Sequence, residues 1–155
     1  MAVSYWLFKS EPAVFSIDDL AKSKNSTTYW NGVRNYQARN FLRDSIKNGD
    51  KVLFYHSNAD PLAVVGTCTV VREGYPDFTA LDPADDHFDP KDSPQNPIWF
   101  MVDIKLEKIF SKPVTLDELK STPALKDFRL LQRGNRLSVF PVTKSEFDLI
   151  SKLGK

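Results

Sequence analysis

Five runs of apolar residues, separated by turn-forming residues, predict the strands of this chain. The clearest is Ile98–Phe110, in which apolar and charged residues alternate from Val102 to Glu107, as in a strand with one buried face. The run Ala63–Glu73 is rich in β-branched residues and contains Gly66, which indicates a bulge or a close backbone approach. The complete set of predicted strands is Tyr5–Lys9, Lys51–Ser57, Ala63–Glu73, Ile98–Phe110 and Arg136–Val142.

Short helices are predicted where a serine or threonine precedes an acidic residue by three positions, which is the capping-box pattern. The three pairs are Ser16 with Asp19, Thr115 with Glu118 and Thr143 with Glu146. A fourth helix is predicted between Trp30 and Gly49, where apolar residues recur at helical spacing. The strands do not alternate with long helices, so a Rossmann-type sheet is disfavoured. We therefore expect an α+β fold, with a small mixed or antiparallel β-barrel flanked by short helices.

The segment 74–97 is rich in proline and acidic residues, and this composition predicts a loop. Its sequence DPADDHFDPKD contains His87 and several carboxylates, which are potential metal ligands. The spacing lacks the central glycine and the terminal glutamate of a calcium-binding loop. We therefore expect a solvated acidic loop and no metal site.

Composition is that of an ordinary globular domain: of the 155 residues, 41% are hydrophobic and 26% are charged. This length predicts a single domain, residues 1–155. Cys68 is the single cysteine, so an internal disulfide is impossible and a reducing compartment is favoured. No apolar run reaches the length of a membrane span, and the N-terminus lacks the pattern of a signal peptide. We expect a monomer, because no heptad pattern requires a dimer, in the cytoplasm, or in the nucleus if the source is eukaryotic.

The formal net charge is +1, which limits how the chain can bind a polyanion. Proteins that bind long nucleic acids through many phosphates carry a basic surplus. Any such role in this chain must therefore depend on a local basic patch and a specific pocket.

One stretch, WNGVRNYQARNFL (Trp30 to Leu42), has an unusual composition. A tryptophan and a tyrosine occur there with two arginines, three asparagines and a glutamine. Aromatic rings stack on flat ligands, and arginine and amide groups form paired hydrogen bonds with phosphates or base edges. The mixture fits one stacked base with its nearest phosphates, while some of the polar members brace the loop.

Six motifs in order then resemble those of the EVE-domain family. They are YWLFKSEP, WNGVRNYQARNFL, GDKVLFYHS, VVGTCTVV, NPIWFMVDIK and RLSVFPV. The resemblance covers nearly the whole chain, from about Ser4 to Leu153. The resemblance implies a PUA-like fold, in which a small β-barrel is flanked by helices, related to the YTH readers of N6-methyladenosine. It also implies a pocket for a modified base, with modified cytosine in DNA as the leading expectation and RNA as an open alternative.

A pocket for one extruded base needs an aromatic plane and polar groups aimed at the base edge. Trp30 is the candidate plane, although a tryptophan is more often a core anchor. Glu11 is the candidate edge contact, because a carboxylate accepts from the amino group of cytosine. YTH readers carry an amide near this place, and the change to an acid would favour cytosine over adenine. The predicted pocket consists of Lys9, Ser10, Glu11, Trp30, Asn31, Val33, Tyr55, His56, Ser57 and Ser138.

A basic rim is predicted around this pocket. Its proposed members are Arg34, Asn35, Gln37, Arg39, Arg129, Arg133 and Arg136, with Arg43 and Lys47 beside them. Two alternatives remain open from the residues alone. Arg34, Asn35 and Arg39 fit a role in bracing or capping the loop equally well. The cluster around Arg129 fits an ordinary solvated face.

Catalysis has little support in the sequence. No GxSxG, phosphate-binding loop, zinc-deaminase or dinucleotide motif is present. Cys68 lies within an apolar strand, and His56 and Ser57 would point to opposite faces of theirs. We predict no catalytic residue and no cofactor. Two alternatives to a non-catalytic reader are kept: a small nucleic-acid-processing enzyme that uses Glu11 or His56, and a binder of a free nucleotide or small metabolite.

Overall fold

Six strands form one mixed sheet in the computed structural model, which describes residues 3–155. They are β1 (Tyr5–Ser10), β2 (Thr27–Tyr29), β3 (Lys51–His56), β4 (Ala63–Pro76), β5 (Phe100–Thr115) and β6 (Val139–Val142). The order across the sheet is β2-β5-β4-β3-β1-β6, and β1 and β3 are the parallel pair. The other neighbouring strands are antiparallel. This mixed α+β architecture confirms the predicted fold class.

The two long strands carry the curvature of the sheet. The register of β4 against β5 shifts at several places, among them between Val64 and Gly66 and between Val70 and Arg72. Such irregularities bend and twist a strand, as a barrel-like sheet requires. A side chain at Gly66 would meet the Lys108 carbonyl oxygen at 2.3 Å, so the predicted close approach at this glycine is confirmed.

Four α-helices flank the sheet within the described residues. They are α1 (Ile17–Lys22), α2 (Tyr36–Asn40), α3 (Leu116–Lys120) and α4 (Lys144–Leu153). Ser16 and Thr143 form complete capping boxes at the starts of α1 and α4. Thr115 accepts a hydrogen bond from the Glu118 backbone N–H at 3.1 Å at the start of α3. The capping pattern therefore placed these three helix starts correctly.

The helix after Trp30 is shorter than predicted. It becomes a π-helical turn over Phe41–Ser45, and the Ile46 N–H donates to the Phe41 carbonyl at 2.9 Å. The backbone is already extended at Ile46, three residues before the predicted end at Gly49. The buried Asp50 carboxylate accepts the Lys47 N–H at 2.9 Å and the Trp6 indole N–H at 2.9 Å. The local bond from Lys47 and the long-range bond from Trp6 together hold the chain in a shape that helical spacing does not predict.

Strand β2 and the true ends of β4, β5 and β6 were not predicted. β2 has only three residues, which is too few for a periodic pattern, and it pairs with Asp103–Lys105 of β5. β5 continues through Pro113, a residue that usually ends a strand, and Val114 pairs with Val64. β6 begins at Val139, three residues later than predicted.

The core lies between the sheet and the helices and is rich in aromatic residues. Phe8 and Phe54 are fully buried on the neighbouring strands β1 and β3. Cys68 is also fully buried, and burial raises the pKa of its thiol, as expected for an unreactive cysteine. No helix within residues 3–155 has the length and apolar character to cross a membrane.

Candidate functional site

A cavity of about 510 Å³ opens where the ends of β1 and β2 approach each other. The lining residues are Lys9, Ser10, Glu11, Val14, Phe15, Thr28, Tyr29, Trp30, Asn31, Gly32, Val33, Ser57, His87, Arg136 and Ser138. Eight of the ten predicted pocket residues are among them, as is Arg136 of the predicted rim. The volume lies within the range of small-molecule sites, roughly 300–1,000 Å³.

Trp30 unites the two roles that its sequence context left open. Its ring packs against Phe8 and Phe54, with ring centroids 5.2 and 5.5 Å apart. It is 8% exposed, and it lines the cavity. Its backbone N–H donates to the Val102 carbonyl at 2.8 Å, and this bond fixes the Trp30 backbone beside β5. Trp30 is therefore a core anchor that also contributes to the wall of the cavity.

The end of β1, with Glu11 directly after it, forms a second wall. Ser10 donates its hydroxyl hydrogen to the Phe15 carbonyl at 2.5 Å. Glu11 is exposed, and its Oε1 accepts a hydrogen bond from Asn58 Nδ2 at 2.6 Å. Lys9 is half-buried, and burial lowers the pKa of its ammonium group. The segment thus presents a cation, a hydroxyl and an oriented carboxylate at the cavity.

Asp77 ties the Trp30 loop to the segment that follows β4. Its buried carboxylate accepts the Gly32 N–H at 2.8 Å and Arg34 Nη1 at 3.1 Å. It also accepts both the backbone N–H and the hydroxyl of Thr79, at 2.9 and 2.5 Å. Burial alone would raise the pKa of Asp77, but the hydrogen bonds from Thr79, Gly32 and Arg34 outweigh it and hold that pKa below its usual value.

His87 is a cavity residue that the sequence did not reveal. A side chain at Gly32, whose φ is +81°, would meet His87 Nε2 at 2.5 Å, so the imidazole packs directly against this glycine. His87 Nδ1 lies 3.0 Å from an Asp85 carboxylate oxygen and 3.4 Å from Asn31 Nδ2. The acidic loop is exposed along much of its length, as expected for a solvated loop, and His87 additionally ties it to the cavity. No local signal indicates this contact, because it joins residues more than fifty positions apart.

The carboxylates of this loop mainly build its turns. Asp82, Asp85 and Asp89 each accept the backbone N–H of the residue two positions later, at 2.8 to 2.9 Å. Asp89 also accepts the Trp99 indole N–H at 2.7 Å. Within residues 3–155, no three metal-ligating side chains of the His, Cys, Asp or Glu type come together.

Arg34 and Arg39 brace the loop, and Asn35 caps a helix. Arg34 donates twice to the His87 carbonyl, at 2.6 and 3.2 Å, and lies over the Trp99 ring. Arg39 donates to the Ile98 carbonyl at 2.5 Å. The Asn35 side chain accepts the Ala38 N–H at 3.0 Å at the start of α2. None of the three lines the cavity, and the exposed Gln37 does not line it either.

Tyr55 and His56 also lie outside the cavity, which corrects the predicted pocket. Tyr55 is 3% exposed in β3, and burial raises the pKa of its hydroxyl. His56 Nε2 accepts the Ile17 N–H at 3.1 Å at the start of α1. Burial lowers the pKa of His56, and the nearby charge of Asp18 opposes this only in part. His56 is therefore a neutral acceptor for a helix terminus.

Cations at the mouth come mainly from the segment before β6. Arg136 is exposed and lines the cavity, and Arg129 and Arg133 are exposed in the same segment. Arg43, by contrast, forms two hydrogen bonds with its neighbour Asp44, both at 2.8 Å. The basic patch at the cavity thus consists of Lys9 and Arg136, with Arg129 and Arg133 in the chain leading to it.

Comparisons with known proteins identify relatives of this chain in both sequence and overall fold. The model of the EVE domain matches residues 4–153. Human thymocyte nuclear protein 1 is 41% identical over 167 residues, which cover 97% of this chain and 73% of that protein. A hypothetical protein from Leishmania major has a solved structure with a TM-score of 0.91 and 49% identity, covering 99% of this chain and 95% of that one.

A crystal structure of the human THYN1 protein in complex with DNA containing 5-methylcytosine is also similar. Its TM-score is 0.91 at 40% identity, and the match covers 98% of both chains. A family model that spans nearly the whole chain, together with relatives of this identity, establishes the family. The chain belongs to the EVE-domain family.

Proposed function

We propose that this domain binds DNA through a modified cytosine, which it holds out of the base stack in the cavity, and that it catalyses no reaction. The observation that carries the proposal is the cavity itself, which is lined by both Trp30 and the polar segment Lys9–Glu11. The crystallised human relative in complex with 5-methylcytosine DNA supports the choice of base. A role on DNA places the protein in the cytoplasm of a bacterium or in a eukaryotic nucleus.

The polar and apolar groups of the cavity suit a 5-substituted cytosine. Glu11 offers a carboxylate to the exocyclic amino group of cytosine, and the bond from Asn58 holds that carboxylate at the mouth. Asn31 offers a side-chain amide that Thr79 and His87 orient. Val33, which is 6% exposed, adds an apolar surface for a methyl group.

The cations at the mouth suit a few phosphates rather than a long tract. Lys9 and Arg136 line the cavity, and a net charge of +1 leaves little attraction elsewhere. Each neutralised phosphate contributes about 0.9 to the slope of log affinity against log salt. We therefore expect a shallow salt dependence, with a slope of about −2 to −4.

The environments of the residues that could have been catalytic support the non-catalytic interpretation. His56 is occupied by the Ile17 N–H, and Cys68 is fully buried away from the cavity. Glu11 is exposed, and its carboxylate already accepts a hydrogen bond from Asn58.

The test is a set of binding titrations at fixed salt with labelled oligonucleotides, single- and double-stranded, that carry cytosine, 5-methylcytosine, 5-hydroxymethylcytosine or N6-methyladenine. We expect a preference for one modified cytosine that falls about tenfold in Glu11→Gln, because the amide presents a donor as well as an acceptor. Glu73→Gln, on β4 outside the cavity, is the matched control. Equal weak binding to all oligonucleotides would refute the proposal.

The same titrations separate the alternatives. Arg136→Gln should weaken oligonucleotide binding and leave free nucleoside binding unchanged. If neither changes and the free nucleoside binds as tightly as the oligonucleotide, the cavity is a small-molecule site. Conversion of the modified base during incubation, abolished in Glu11→Gln, would establish an enzyme.

A further inference from the structure

Val14 is the most exposed large apolar side chain among residues 3–155, at 77%. It lies in the connection between β1 and α1, and it lines the mouth of the cavity. Single exposed apolar residues are common on protein surfaces and need no explanation alone. The position of Val14 beside a base-sized cavity is the feature that requires one.

The turn that carries Val14 is braced on both sides. The N–H groups of Val14 and Phe15 both donate to the Glu11 carbonyl at 2.9 Å. The Ser10 hydroxyl holds the Phe15 carbonyl, and Asn58 holds the Glu11 side chain. Val14 is thus held outward by a fixed turn, and the fold gains no burial from its isopropyl group.

An extruded base leaves a gap in the duplex that exposes the faces of its stacking neighbours and an unpaired partner base. Apolar side chains inserted between base steps fill such gaps and offset part of the cost of unstacking. Lys9 and Arg136 line the same cavity and can hold the backbone of the target strand at its mouth. The fixed apolar side chain thus lines the same cavity that would receive the base.

We propose that Val14 is a positioning residue that enters the duplex at the place vacated by the extruded base. This rests on the proposed function. It makes a prediction specific to duplex DNA, because a single strand has no opposing base and no closed stack for Val14 to enter.

The experiment compares Val14→Ala with the wild-type protein on three substrates: a 5-methylcytosine single strand, the matched duplex, and a duplex with an abasic site opposite the modified base. We expect Val14→Ala to weaken binding to the matched duplex about tenfold and to leave the single strand within about twofold. The loss on the abasic duplex should be intermediate, since pairing there is already broken. Val14→Leu should bind the matched duplex nearly as tightly as the wild-type protein.

Val71→Ala is the control, because Val71 is 43% exposed on β4 and does not line the cavity. Equal effects of Val14→Ala on single strand and duplex, or no effect on either, would overturn the Val14 proposal while a preference for modified cytosine stands. If the wild-type protein shows no preference for modified cytosine on any substrate, both the proposed function and the role of Val14 are refuted.

Discussion

Replacement of Asp77 by asparagine tests the tie on which the cavity depends. In the wild-type protein both carboxylate oxygens only accept: Oδ2 from Gly32 N and Arg34 Nη1, and Oδ1 from the N–H and hydroxyl of Thr79. Asparagine has the same shape, but one of its two positions becomes an NH₂ donor. At the Oδ2 position this donor faces the Gly32 N–H and Arg34, so both hydrogen bonds are lost. At the Oδ1 position it faces the Thr79 N–H, and one bond is lost because the Thr79 hydroxyl can turn and accept from it. In both orientations Arg34 loses its charged partner.

The magnitude follows from these contacts. Hydrogen bonds that involve a charged partner contribute about 1.5–3 kcal/mol each, and in both orientations the buried negative charge that pairs with Arg34 is lost. The Arg34 side chain is 24% exposed, so water partly replaces the lost carboxylate. We therefore expect a loss of about 3 kcal/mol in the free energy of unfolding for Asp77→Asn, at the lower end of the cost of breaking a buried ion pair.

The assay is urea unfolding at neutral pH, followed by tryptophan fluorescence. Asp44→Asn is the matched control, because it breaks an exposed ion pair with Arg43 that water and salt screen, so it should change the free energy of unfolding far less. A free energy of unfolding for Asp77→Asn within about 0.5 kcal/mol of the wild-type value would refute the assigned hydrogen bonds, since random surface changes have effects of that size.

The difference in unfolding free energy between the wild-type protein and Asp77→Asn should depend on pH with a definite sign. The pKa of Asp77 is lower in the folded protein than in the unfolded chain, so its ionisation stabilises the fold above the unfolded pKa of about 3.9. That stabilisation decreases as the pH falls through the lowered folded pKa. The gap between wild type and Asp77→Asn should therefore be full at neutral pH and narrow below about pH 4. A gap that stays constant down to pH 2 would contradict the lowered pKa.

Three further changes test other parts of the structure. Gly32→Ala should destabilise the fold by about 1–3 kcal/mol and weaken oligonucleotide binding, because its φ is +81° and a methyl group would displace His87; unchanged unfolding would contradict this. Arg136→Gln should reduce the slope of log affinity against log salt by about 1, whereas Arg72→Gln on β4, outside the cavity, should not change it. Thr143→Ala should lower the unfolding free energy by about 1 kcal/mol through loss of the α4 cap, and Thr143→Ser should restore it.

The parts of the fold that depend on short-range order were predictable from the sequence. The alternation of apolar and charged residues predicted strand β5, and capping boxes predicted the starts of α1 and α4. Strand β2 was missed because its pairing partner lies on β5, more than seventy residues away. The same limit applies to the early end of the helix before Ile46, because Asp50 is held by the Trp6 indole N–H, forty-four residues away.

The same limit applies to the candidate site, where local chemistry predicted some residues and long-range contacts placed the others. Residues near the two aromatic and polar motifs, such as Trp30 and Glu11, could be chosen for their chemistry, and both line the cavity. His87 could not, because its position depends on Asp77 and Arg34 holding a loop that looks solvated in sequence. Arg34 and Arg39 show the converse error: a guanidinium suits a phosphate, but it suits a loop carbonyl equally well.

The low net charge and the rigid cavity favour the same kind of recognition. A strongly basic protein would bind unmodified DNA tightly and leave a single methyl group little influence on where it resides. Here Trp30, Asn31 and Glu11 are already held by packing or hydrogen bonds, so little side-chain freedom is lost on binding. Under the proposed function, weak general attraction and a preformed site make the contacts to one base a large share of the total binding free energy. Selectivity for that base should consequently persist at salt concentrations that remove most phosphate-driven binding.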